Sequence, residues 1–106
     1  MKLKTKTNIF FIFNFGVNMT FVHYDLGILS QGQFVEVTLQ GNAANVLLLD
    51  SRNFSQYKNG KAYKYFGGHI TTSLTRLPIP FSGRWHVAID QGGRAGTIKS
   101  AVRVVG

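Results

Sequence analysis

Glycine placement is the feature that most limits what this chain can build. From Met19 onward glycine recurs at Gly27, Gly32, Gly41, Gly60, Gly67, Gly68, Gly83, Gly92 and Gly93, and it separates short runs rich in β-branched and aromatic residues. Short β-type runs punctuated in this way specify an antiparallel sandwich or barrel. The run 34–39 alternates, so Val35, Val37 and Leu39 face inward while Glu36 and Thr38 face water. Val46, Leu47, Leu48 and Leu49 are apolar without alternation, the pattern of a central strand covered on both faces. In the run 84–90, Trp85, Val87 and Ile89 share one face and Arg84, His86 and Asp90 the other, with Trp85 as the leading core anchor. The last run puts Ile98, Val102 and Val104 on one side and Lys99 and Arg103 on the other.

One segment breaks the β pattern. Asp50 or Ser51 supplies a helix cap, Phe54 and Tyr57 stand three apart, and Gly60 marks the end, which predicts a helical turn near residues 51–58. After it, residues 62–66 alternate aromatic and basic side chains as a strand does, and residues 70–77 are rich in threonine. Pro78 and Pro80 then exclude a central strand at that point. The expected fold is an all-β, jelly-roll-like antiparallel sandwich of about seven or eight short strands. Its core is expected to include Val35, Val37, Leu39, Leu47, Leu49, Phe54, Trp85, Val87 and Ile89.

A chain of 106 residues encloses one modest core, and 44% hydrophobic with 15% charged residues is globular composition. The absence of cysteine excludes disulfides, thiol nucleophiles and thiolate zinc sites. Twelve Lys and Arg against four Asp and Glu give +8. Lys2, Lys4 and Lys6 lie in the leading segment, and without them nine against four leaves +5. Such a balance favours acidic partners, although a soluble domain that is merely basic has the same composition. Residues 1–18 join a basic stretch to an apolar run interrupted by Asn14, too short to span a bilayer and without a small-x-small cleavage site. We read them as upstream sequence outside the fold, with Met19 as the start and a signal or surface anchor as the alternative. Residues 19–106 then form one domain, expected in the cytoplasm unless the leading segment is a signal.

The order of motifs, FVHYDLG, then GNAANVLLLDSRNFSQYKNGKAYKYFGG, then PIPFSGRWHVAIDQGG and a basic last strand, resembles the domain of unknown function 1883 family of small bacterial all-β proteins. The resemblance runs from Met19 to about Val105. It implies a β-sandwich with no established activity, and the attachment of similar domains to Toll/interleukin-receptor-type signalling domains implies sensing or ligand binding. The stretch around Asn53, Phe54 and Tyr57 is also similar, over about half the chain, to jelly-roll-like accessory domains of secreted peptidases and cargo receptors.

No assembled catalytic motif is legible, and neither a metal site nor a cofactor is expected. His23 with Asp25, and His86 with Asp90, are two apart and share a face on an extended strand, which suits a general base or ligand pair. Surface or hydrogen-bonding roles at solvent-facing strand positions are the simpler account of them, and Asp25 and Asp90 suit turn chemistry. Gly92, Gly93, Arg94, Ala95 and Gly96 supply amides beside a cation but lack the ending of a phosphate-binding loop, so a hairpin turn is the simpler account. Tyr57, Lys58, Lys61, Tyr63, Lys64 and Tyr65 interleave rings and cations, a combination suited to nucleotides or single-stranded nucleic acid, or simply to packing on the sheet. Arg76, Arg84, Lys99 and Arg103 are candidates for extending a basic face. Three readings follow: a module binding an anionic ligand or a protein partner, a nucleic-acid-binding domain, and a hydrolase using His23, His86 and Asp90.

Overall fold

The computed structural model describes residues 3–6, 21–41, 43–92 and 98–106. Among these the elements run β1 (Leu3–Lys6), β2 (Phe21–Leu29), β3 (Phe34–Gly41), β4 (Ala44–Asp50), α1 (Ser51–Lys58), β5 (Phe66–Ile70), β6 (Leu74–Pro78), β7 (Gly83–Asp90) and β8 (Ile98–Val105). Two four-stranded sheets form, a front sheet in the order β1-β8-β3-β6 and a back sheet in the order β2-β7-β4-β5. Every pairing is antiparallel. The first strand neighbours the eighth, the second the seventh, the third the sixth and the fourth the fifth. This is the winding of a jelly roll, a long antiparallel ribbon rolled into two facing sheets.

Alternation fills the space between the sheets. Val35 and Val37 from β3, Trp85, Val87 and Ile89 from β7, and Val102 and Val104 from β8 meet there with Tyr24, Val46 and Leu48. Residues two apart point to one face, so each strand commits half of its side chains to this layer. The apolar run of β4 has a different use. Val46 and Leu48 enter the layer between the sheets, while Leu47 and Leu49 point to the outer face of the back sheet. That outer face is covered by α1, whose Phe54 and Tyr57 close over Phe21, Leu47, Leu49 and Ala88 as a second core. Leu47 and Leu49, with Phe54 of the helix itself, are therefore buried between α1 and the back sheet and not between the sheets.

The helix begins where the strand stops because Asp50, still extended, accepts a hydrogen bond on its carboxylate from the backbone N–H of Asn53. That bond satisfies one of the amides a first turn leaves without an intrahelical partner. Gly60, at φ +69°, reverses the chain after Lys58 and Asn59. β6 is an outer strand of the front sheet, the only kind of place where Pro78 costs no ladder hydrogen bond.

Three expectations need correction. Residues 61–65 are not a strand: the N–H of Lys64 donates to the side chain of Asn53 on the helix, so the alternating segment lies along α1 and β5 starts only at Phe66. Glu36 does not face water. It lies on the outer face of the front sheet but is 4% exposed, roofed by Arg76 and Arg103. Finally, the backbone of Leu3–Lys6 runs along β8, where the sequence placed residues 1–18 outside the fold. An edge needs only backbone donors and acceptors, so a short polar stretch suffices. Residues 7–20, with the apolar run, and residues 93–97, with most of the glycine-rich turn, lie outside the described residues.

Candidate functional site

The back sheet and its helix bring together most of the chemistry-bearing side chains, in two clusters. At the start of α1, the hydroxyl of Ser51 is 2.8 Å from Nε2 of His86, and Nδ1 of His86 is 2.9 Å from Nε2 of His23. Two tautomer sets close this chain, with the shared protons all directed toward Ser51 or all toward His23. The ring of Phe54 stacks on both imidazoles, with centroids 4.0 Å from His23 and 4.7 Å from His86. Burial holds His23 down to about 4, helped by the neighbouring His86, and burial likewise lowers His86. Both rings are thus neutral near pH 7. Asp25, the carboxylate beside them, is turned to Arg84 at 2.6 Å and to the amide of Gly27. Burial alone would raise its pKa, but those two hydrogen bonds outweigh burial and hold the carboxyl below its usual range.

A hydroxyl, an imidazole and a further hydrogen-bonded group in a row is the order of nucleophile, base and orienting group in acyl-transfer enzymes. Here Phe54 covers both imidazoles, and the chain fastens the first turn of the helix to β2 and β7. His23 and His86 converge as the hydrolase reading required, but Asp90 does not join them.

Asp90 belongs to the second cluster, at the other end of the helix. Its carboxylate accepts from the Tyr57 hydroxyl at 2.6 Å, the Asn45 amide at 2.8 Å and the backbone N–H of Gly92 at 2.9 Å. Burial and the bond to Asp90 push the Tyr57 hydroxyl far above its ordinary range. His86 and Asp90 were expected on a solvent face, yet both are buried because α1 and the segment after it cover that face. Beside Asp90 a shallow groove of about 330 Å³ opens between β4, β5 and the segment 61–65, flanked by Tyr63, Tyr65 and His69. Tyr63 is half-buried and held edge-on to Tyr57 at 5.2 Å, and Tyr65 is exposed with its ring 5.7 Å from that of Tyr63.

The expected Tyr and Lys platform is therefore divided. Tyr63 and Tyr65 share the groove, whereas Tyr57 is buried to 1% exposure and has no ring face available for stacking. Lys58 reaches over the outer side of Phe54, 5.6 Å from its centroid, and Lys61 and Lys64 are exposed on the segment after the helix. None of these lysines lines the groove. The four cations proposed for a basic face divide between two sheets. Arg76, Lys99 and Arg103 are on the front sheet, where Glu36 binds both arginines, and Arg84 is on the back sheet with Asp25. Those two guanidinium groups hold the Glu36 carboxyl below its usual range.

Sequence reasoning did not anticipate a third feature, at the end of the sandwich where β5 and β7 begin. Phe66 and Phe81 are about half exposed, and both rings lie against Trp85, at 6.1 and 4.9 Å. Ile28 and Phe34 are exposed at the same end, as the register of Ile28 with Arg84 and of Phe34 with Pro78 requires. The only signal in the sequence was aromatic residues flanking glycine and proline turns.

These features define a small all-β sandwich with the helix α1 laid on its back sheet. The chain belongs to the family described as domain of unknown function (DUF1883), whose model matches residues 19–106. A comparison with curated protein sequences returns no match. Among solved structures, the chain is similar to Aeromonas hydrophila PliG, described as a periplasmic lysozyme inhibitor of g-type lysozyme. The likeness has a TM-score of 0.56 and 18% identity over 98% of this chain and 82% of that one, a likeness of fold. Among the described residues, no helix is long and apolar enough to cross a membrane.

Proposed function

We propose that this domain is a protein-binding module that docks its partner on the apolar end built from Phe66 and Phe81 over Trp85. The observation that carries this reading is that pair of half-exposed rings resting on a buried tryptophan, with Ile28 and Phe34 exposed at the same end. Clustered exposed aromatics anchored on a rigid base are the usual centre of a protein interface, where aromatic anchors supply most of the binding energy. The similarity in fold to an inhibitor that acts on a protein target supports a protein partner over a small anion. So does the pairing of three of the four candidate basic-face cations with carboxylates of this same chain. The neighbour is periplasmic, which supports an extracytoplasmic working place over the cytoplasmic one expected from sequence.

The test is binding of the full chain to a g-type lysozyme and to a panel of other cell-wall enzymes, with Phe66→Ser, Phe81→Ser and the double variant beside it. A complex weakened by about tenfold or more in the double variant, with an unchanged circular dichroism spectrum, is expected. A complex of undiminished affinity in the double variant overturns the assignment of the surface.

A further inference from the structure

We propose that the groove beside Asp90 is a second binding site, separate from the apolar end, for the ring of a neutral sugar. The argument starts with the space itself. Gly67 and Gly68 lie at the middle of the edge strand β5, and Gly67 has its Cβ direction 2.2 Å from the carbonyl oxygen of Val46 at φ +109°. Gly68 is the glycine that lines the groove; at φ +144° it holds a conformation L side chains rarely adopt, with open space at its Cβ position, so no side chain fills the opening there. The resulting opening, about 330 Å³, falls in the range of small-molecule sites, roughly 300–1,000 Å³.

Its lining then selects the ligand. Tyr63 and Tyr65 offer ring faces, and Tyr63 is held in place by its contact with Tyr57. Such a face accepts the C–H side of a sugar ring while the phenolic hydroxyls remain wet. Opposite them, Asn45, His69 and Asp90 supply planar hydrogen-bonding groups. Asp90 already accepts three bonds, from Tyr57, Asn45 and Gly92, which fix its carboxylate in place. A carboxylate has about four acceptor positions, so one is left for a ligand hydroxyl. Among the described residues no lysine or arginine lines the groove, so a phosphate or carboxylate ligand would meet Asp90 with no cation from them, at a cost. A cation would meet only that one remaining acceptor position, on a carboxylate already held by three donors. A neutral ring with several hydroxyls satisfies both the rings and the polar groups.

The experiment is a titration of the ¹⁵N-labelled full chain with cellohexaose, chitohexaose and maltohexaose, with hexalysine as the cationic comparison. At least one oligosaccharide is expected to shift the amides of Gly68, His69 and Gly92 and the side-chain amide of Asn45. Tyr65→Ala, at an exposed position, is expected to weaken binding about tenfold, and Tyr65→Phe to preserve it, since the ring face is what the sugar meets. Phe81→Ser, at the apolar end, is expected to leave these shifts unchanged, so failure here and failure of the protein-partner reading are separable. Absence of shifts with all three sugars, shifts indifferent to Tyr65→Ala, or a response to hexalysine alone would each overturn the proposal.

Discussion

At the scale of single residues, the buried polar groups decide how this domain responds to change. Tyr57 donates to a buried carboxylate, and removing the hydroxyl leaves Asp90 with one donor fewer. Tyr57→Phe is expected to lower unfolding stability by about 1–3 kcal/mol, measured as a lower urea midpoint at unchanged slope. The histidine pair gives a pH dependence whose sign follows from its burial. The folded pKa of His23 is depressed from 6.5 to about 4, so between those values the unfolded chain binds more protons than the folded one. Stability is thus full above pH 6.5 and declines as the pH falls toward 4, by roughly 2 kcal/mol after allowing for partial solvent access. Asp25, held below its usual range, adds a further loss only at more acid pH. A urea midpoint that does not change between pH 7 and pH 4.5 would show that the fold does not hold these imidazoles neutral, and His23→Gln should shrink the change.

Secondary-structure elements carry their own tests. The helix depends on one carboxylate at its start, and Asp50→Ala should cost about 1 kcal/mol through the loss of the bond to the Asn53 amide. β5 depends on a glycine for a different reason. At Gly67 a methyl group would meet the Val46 carbonyl in a backbone conformation side chains avoid, so Gly67→Ala should destabilise by roughly 2 kcal/mol or more. Calorimetry of the two variants would rank them, and a Gly67→Ala protein as stable as the parent would contradict the packing of β5 on β4. The β2 strand shows a related economy. Its register slips between Asp25 and Gly27, and the extra residue keeps Tyr24, Leu26 and Leu29 all buried while Ile28 turns outward.

For the whole molecule, the two faces of the back sheet have separate duties. One joins the central core and the other builds a second core under α1, and the polar clusters lie at the two ends of that helix. The front sheet, by contrast, exposes one outer face on which Glu36 gathers two arginines. The leading strand β1 adds only an edge to that sheet. A chain beginning at Met19 is therefore expected to keep the near-ultraviolet dichroism of the full chain while β8 amides facing that edge exchange faster with deuterium. Loss of the folded signal on that truncation would make residues 1–18 part of the folding unit.

Local chemistry was enough to read β3, β4, β7, β8, the helix at 51–58 and its Asp50 cap, because alternation, turn residues and capping act over a few positions. The sides taken by Trp85, Val87 and Ile89 follow from period two alone. Which outward positions meet water does not, because that depends on elements distant in the chain. His86 and Asp90 look like surface residues until α1 is laid across them, and Glu36 looks exposed until β6 and β8 bring Arg76 and Arg103 to either side. The same holds for the candidate surfaces. Tyr63 and Tyr65 become a groove only beside β4 and β5, and Phe66 and Phe81 become one patch only because both strands begin at Trp85's end of the sandwich. Periodicity sets which face a side chain takes, and the tertiary fold sets what lies on that face.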